Sequence, residues 1–367
     1  MERKKYIDNI RWITVVLVVI YHVIYMYNAV MPQIPGGIGA FKEVQYQDGV
    51  LYILYPWFMV LLFVVSGISS RYYLVSHTDK EFVRSRTRKL LVPSTIGLVV
   101  FQWILGYYSM SISNAFETMS AAMPADMPAG TKKTIQYISM VLSGTGVLWY
   151  IQVLWVLSLV LVLIRKIEKD RLYHLCEKVN ILVLILLVIP VYGAAQILNT
   201  PVIVVYRFGI YGISFLIGYF VLSHEKVMEK LSRYRILLAA AAVCLAIAYV
   251  IVYFGENYAA EPVINSIFSV AYGWCAVLAV LALMRAYGDK SNRFSIWMSQ
   301  KSWGLYVFHY LALAVAAYYL HVYAPDMPAF FCYLLVAAAA FGGGFLLYEI
   351  ISRIPVIRWC VLGMKKK

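Results

Sequence analysis

Ten apolar segments, each about the length of a membrane crossing, recur along this chain, and that recurrence restricts its fold more than any other feature. They run roughly 10–30, 49–70, 90–110, 143–164, 180–198, 202–222, 236–254, 264–284, 297–320 and 329–352. About 20 predominantly apolar residues at ~1.5 Å rise span a bilayer's hydrocarbon core. The expected fold is therefore all-α: a polytopic membrane protein with about ten transmembrane helices. Composition agrees, since 62% of the residues are hydrophobic and only 14% charged, against ~25% charged in an ordinary soluble domain. The mean hydropathy is +0.74.

The connections test this division. With the N-terminus inside, 27 of the 32 Lys and Arg fall in inside segments, and only Lys42, Lys132 and Lys133 fall outside. So one-sided a distribution follows the positive-inside rule and predicts both termini to be cytoplasmic. Topology also accounts for the net charge of +14. With no basic tract interleaved with exposed aromatics, nucleic acid is not an expected partner. The basic start MERKK precedes an apolar run too long for a signal peptide, so the first helix is read as retained. Cys176, Cys244, Cys275, Cys332 and Cys360 contain no C-x-x-C spacing, and no metal is expected. Two outside connections are long. Met31–Asp48 contains PQIPGG and reads as a turn-prone cover, while Ser111–Tyr137, centred on MPADMPAG, reads as a flexible flap or a re-entrant piece. No segment has the length of a separate soluble domain, and no internal repeat is visible, so residues 1–367 are expected to form a single transmembrane domain without a fused soluble one.

The first helix carries the most telling residues. In YIDNIRWITVVLVVIYHVIYM, Arg11 and His22 are eleven positions apart, three turns plus ~20°, so both lie on one face about 16 Å apart along the axis. They are able to contact two ends of one elongated ligand, or two different ligands, but not each other. An ionisable group within a membrane helix is costly and points to function. His309, in WGLYVFHY, sits twelve residues past Trp297, as His22 sits twelve past Ile10. Two histidines at one depth suggest a shared polar chamber, in which a neutral imidazole with an ordinary pKa of ~6.5 suits a general base.

Other residues admit two readings. Ser66, Gly67, Ser69 and Ser70 form either a helix-packing seam or a surface where a ligand approaches the backbone. In KEFVRSRTRKLLVP, Arg86 and Lys89, three apart, are expected on one face, and Arg84 and Arg88 on another. Such a cluster either anchors topology on anionic lipid headgroups or clamps the phosphates of a cytosolic cofactor. Glu349 is a further acid at membrane depth, whose plainest role is pairing with a nearby cation.

These residues resemble, in order, the acyltransferase-3 family of integral-membrane acyltransferases. The resemblance is carried by Asp8, Arg11 and His22, by the Ser66–Gly67 pair, and by Arg86 and Lys89 before LLVP. VLWYIQVLW, SWGLYVFH and Glu349 ahead of SRIP are similar to later landmarks of the family. Lys89 stands where the family usually has a second arginine, which keeps the charge but loses the bidentate fork. The resemblance implies transfer of an acyl group, usually acetyl, from cytosolic acyl-CoA to a hydroxyl of a cell-surface glycan or lipid-linked saccharide. It places the protein in the cell (plasma or inner) membrane. It implies His22 and Arg11 as catalytic residues, with Arg11, Arg86, Lys89, Ser66 and Gly67 binding the donor and Asp8, His309 and Glu349 around a polar chamber. Some members carry a fused extracytoplasmic SGNH-type hydrolase domain; without one, the chain is expected to acylate its acceptor directly or to pass the group to a separate extracytoplasmic partner. A different class remains: a secondary transporter or exporter of an anionic or lipid-linked saccharide would also place Arg, His and Glu within its helices.

Overall fold

A computed structural model describes residues 4–30, 44–200 and 205–365. Among them there is no β-strand, only an isolated antiparallel bridge between Asn199 and Arg207. Eight helices are long and apolar enough to cross a membrane, or nine if one bent pair forms a single crossing. In chain order the principal helices are α1 (Lys5–Tyr25), α2 (Tyr46–Leu74), α3 (Asp79–Ile112), α4 (Ala115–Ala122), α5 (Ala129–Ser143) and α6 (Gly146–Glu168). There follow α7 (Ile181–Ala195), the bent pair α8 (Phe208–Phe220) and α9 (Glu225–Arg233), α10 (Arg235–Tyr253) and α11 (Ile267–Tyr287). Last come α12 (Arg293–Tyr323), α13 (Ala329–Arg353) and α14 (Pro355–Leu362).

Two of the ten expected segments do not form one long straight helix. The segment at 180–198 becomes α7, which breaks between Leu186 and Val188. Pro190 explains the break, because a proline ring clashes with the carbonyl four residues earlier, here that of Leu186. The segment at 202–222 begins as helix only at Phe208, after Arg207 at the Asn199 bridge, and residues 201–204 lie outside the described ones. α9 then turns by 105° from α8. It buries Val227, Met228 and Leu231 while Lys226 and Glu229 are exposed, the amphipathic pattern of a helix whose apolar face is covered by the protein's own core.

The expected outer loop at 111–137 is largely helical, forming α4 and the start of α5. The other expected loop, Met31–Asp48, falls mostly on residues 31–43, outside the described residues, as do Arg3, Lys42, Lys366 and Lys367.

The chain divides into two compact units, each assembled from three stretches. The first comprises the described residues of Met1–Leu17, Gly49–Ser85 and Val153–Gln300. Its centre is α2, whose apolar window is 89% buried and therefore reads as hydrophobic on every face. α2 lies against α8 with almost no side chain between them. A Cβ added at Gly67 would strike the Phe215 carbonyl, and one at Gly218 would strike the Val64 carbonyl. Beside this seam Phe63 stacks on Tyr211 with ring centroids 4.5 Å apart.

The second unit comprises the described residues of Val18–Asp48, Arg86–Gln152 and Lys301–Lys367. α5 runs along α3 through a seam of the same kind: Gly106 faces the Met140 carbonyl and Gly144 the Gln102 carbonyl. α5 thus carries the chain back along α3 before α6 begins. The Tyr306 hydroxyl of α12 donates to the Val147 carbonyl at that return.

Candidate active site

Within the first unit, the start of α1 and the end of α2 bound an open cleft of about 680 Å³. Lys4, Ile7, Asp8 and Arg11 line it from one side, and Ser69, Tyr72, Tyr73 and Ser76 from the other. Both sets have the spacing i, i+3, i+4, i+7 that marks one helix face. Arg11 donates to Asp8 Oδ1 at 3.2 Å and to the Ser69 hydroxyl, and Ser69 in turn donates to the Val65 carbonyl at 2.6 Å. Two acceptors therefore fix the guanidinium, yet its side chain stays 41% exposed toward the cleft. A fixed but accessible guanidinium is suited to a phosphate or carboxylate.

Ser66 and Gly67 sit differently. Ser66 is buried, its carbonyl accepting the Ser70 hydroxyl at 2.7 Å, and Gly67 faces α8. In this serine cluster it is Ser69 that meets Arg11.

The second unit holds His22 and His309. His22 Nδ1 lies 2.8 Å from the Val18 carbonyl oxygen and 3.2 Å from His309 Nε2. His309 Nδ1 lies 3.0 Å from the Leu305 carbonyl oxygen and 2.9 Å from that of Tyr306. His309 has no exposed surface, whereas His22 is half-buried. The Tyr310 ring packs edge-on to His22 at 4.9 Å between centroids, and Tyr21 does so at 5.2 Å. The result is a half-open imidazole backed by a closed one within an aromatic wall, an arrangement able to take a proton from a hydroxyl.

The other acids expected around a chamber are paired elsewhere. Asp8 accepts from Arg11. Glu349 pairs with Lys301, and more distantly with Arg353 at 3.6 Å. Lys301 precedes His309 by eight residues on α12, about 12 Å along the axis. The structure thus brings His22 and His309 together while Glu349 serves an ion pair nearer the helix end.

Arg86 ends the regular first stretch of α3, and Lys89 lies in the π turn Thr87–Leu91 that follows. Arg86 is half-buried and Lys89 exposed, so the two do not share one environment. The widened turn changes the register that a three-residue spacing has in a regular helix. A side chain at Gly363, just beyond α14, would strike the backbone of Arg88 and Lys89, so α14 ends against this basic turn.

Helices of this number and apolarity define a multi-pass helical membrane protein. The acyltransferase-3 family model, described as an acyltransferase domain, matches residues 4–349. The chain belongs to that family and is a membrane acyltransferase. No curated protein and no solved structure matches it.

Proposed function

We propose that this acyltransferase moves an acyl group, acetyl in the simplest case, from cytosolic acyl-CoA to a hydroxyl of a cell-surface glycan or lipid-linked saccharide in the cell membrane. The observation that carries the reading is the half-open His22 backed by His309, in a chain whose family match spans residues 4–349. Both termini are cytoplasmic in this reading, as the positive-inside rule predicts from the charge distribution. The cleft at Arg11 then opens to the cytosol, where a polyanionic nucleotide arrives.

Acyl-CoA is anionic at one end and carries its thioester at the other. Arg11 binds phosphate from within the cleft, and Arg86 and Lys89, cytoplasmic by the positive-inside rule, supply further positive charge for an anionic nucleotide. His22, three turns further along α1, removes the acceptor's hydroxyl proton as the oxygen attacks the thioester carbonyl. The new C–O bond forms and the C–S bond breaks. The proton held by His22 passes to the departing sulfur, so acyl ester and free CoA thiol are the products. Holding both reactants against one base also lowers the entropic part of the barrier. The acceptor is met directly or through a separate extracytoplasmic partner, and bilayer lipid surrounds the apolar faces.

The test uses purified, detergent-solubilised protein, radiolabelled acetyl-CoA and a lipid extract of the native membrane, which supplies the hydroxyl acceptor that the transfer needs. The reading predicts binding and release of free CoA or labelled product, lost in His22→Ala, with Arg86→Ala mainly weakening binding. Failure of folded wild-type protein to bind acetyl-CoA at concentrations well above those in cells would overturn it.

A further inference from the structure

His309 has a hydrogen-bonding pattern that fixes more than proximity. Its Nδ1 lies within 3.0 Å of two backbone carbonyl oxygens, those of Leu305 and Tyr306. A carbonyl oxygen only accepts, so Nδ1 carries the hydrogen, and in a neutral imidazole Nε2 then carries the lone pair. That lone pair faces His22 Nδ1 at 3.2 Å. His22 Nδ1 also lies 2.8 Å from the Val18 carbonyl oxygen, so it too carries hydrogen, shared between Val18 and His309. By exclusion the lone pair of His22 is on Nε2. The opposite tautomer of His22 would set its Nδ1 lone pair against a carbonyl oxygen and against the His309 lone pair, two repulsions in a buried place.

We propose that His309 is a positioning residue for the transfer: by accepting the His22 Nδ1 hydrogen it holds His22 with Nε2 as the base nitrogen, and it shares the charge once Nε2 is protonated. This deepens the reading of His22 as general base and rests on it. The role is the one a carboxylate plays behind the histidine of a serine-hydrolase triad, filled here by a neutral ring. A carboxylate at this depth would be a costly permanent charge. A neutral acceptor stays uncharged until the hydroxyl proton arrives, and the Nδ1–H···Nε2 bond then becomes charge-assisted and strengthens. His309 itself is closed off from substrate, since it has no exposed surface and its Nδ1 is occupied by Leu305 and Tyr306.

Two readouts test this. The first needs no turnover: full-length protein labelled with ¹⁵N in its histidine rings, in detergent at mildly alkaline pH. Signals are assigned among the six histidines by loss in His22→Gln and in His309→Gln. Both residues are expected as the Nδ1–H tautomer, the minor form of imidazole in water, and the His22 Nδ1 resonance should shift in His309→Leu. A His22 found as the Nε2–H tautomer would overturn the proposal. The second readout is steady-state release of CoA from radiolabelled acetyl-CoA in the presence of a lipid extract of the native membrane as the source of acceptor. His309→Leu, which removes a buried polar group without leaving one unpaired, should lower kcat about 10- to 100-fold at unchanged KM, the size of a hydrogen bond to a charged group. His309→Gln, whose Oε1 is able to accept the same hydrogen, should recover most of the rate. A folded His309→Leu protein with wild-type kcat would overturn the proposal. Wild-type protein inert toward acetyl-CoA would instead refute the donor assignment, leaving the tautomers to decide the role of His309.

Discussion

Gly67→Ala separates a packing role from a donor-binding role at the seam between α2 and α8. The added methyl would meet the Phe215 carbonyl oxygen and would lie 2.9 Å from the Tyr219 amide nitrogen and 3.0 Å from the Phe215 carbonyl carbon. All three are backbone atoms, so relief requires α8 to move as a body, and the cost belongs at the upper end of the ~1–3 kcal/mol of an overpacked core. Alanine's higher helix propensity returns about 1 kcal/mol. The net loss is therefore about 2 kcal/mol, roughly a 30-fold fall in the folding equilibrium. Gly342→Ala is the control, because in α13 nothing lies within 4 Å of its added Cβ, and it should be neutral or stabilising by up to ~1 kcal/mol. Thermal unfolding of the purified proteins in one detergent reads the difference, with KM for acetyl-CoA measured on the folded fraction. A packing glycine lowers the melting temperature and leaves KM alone. A Gly67→Ala protein as stable as wild type but with a raised KM would refute the packing argument and put Gly67 at the donor.

Arg11→Ala should raise the KM for acetyl-CoA about 10- to 100-fold, the size of a charge-assisted hydrogen bond, while Ser69→Ala, which removes one of the two groups orienting the guanidinium, should have a smaller effect of the same sign; both are read from initial rates of CoA release. Tyr306→Phe removes the bond to the Val147 carbonyl and should cost about 1 kcal/mol, read as a lower midpoint in a denaturant titration of the solubilised protein. Lys301→Glu and Glu349→Lys should each reduce the folded yield by leaving like charges together, and the double exchange should restore it if the Lys301–Glu349 pair is what the two residues contribute; equal loss in the double variant would count against that pairing.

What the sequence makes legible follows from where the physics is local. Bilayer thickness acts on each segment separately, so apolar length reveals the eight long crossings. It overlooks Pro190, whose clash with the Leu186 carbonyl divides a segment that hydropathy alone reads as continuous. The amphipathic α9 was also readable, since Val227, Met228 and Leu231 repeat at helical spacing between charges.

At the candidate site, equal depth is visible as the twelve-residue offset of His22 from Ile10 and of His309 from Trp297. The 3.2 Å contact between their rings depends on how α1 and α12 pack, which no local pattern encodes. The cleft residues carried a signal that composition hides: Ile7, Asp8 and Arg11 fall on one face of α1, and Ser69, Tyr72 and Tyr73 on one face of α2. Gly67 was ambiguous because a seam and a ligand surface call for the same small residue, and only the approach of α8 distinguishes them. For Glu349 the sequence makes pairing with a nearby cation legible, while the choice of Lys301 depends on how α12 and α13 pack.

The most direct test of His22 as the base is a single-turnover experiment with His22→Gln. Enzyme in excess is mixed with radiolabelled acetyl-CoA in membranes that carry the native acceptor, and both bound donor and label transferred to the acceptor are followed. Binding should stay near wild type while transfer falls about 10²- to 10⁴-fold, the contribution of a positioned general base. Transfer at the wild-type rate by folded, donor-binding His22→Gln protein would contradict the account.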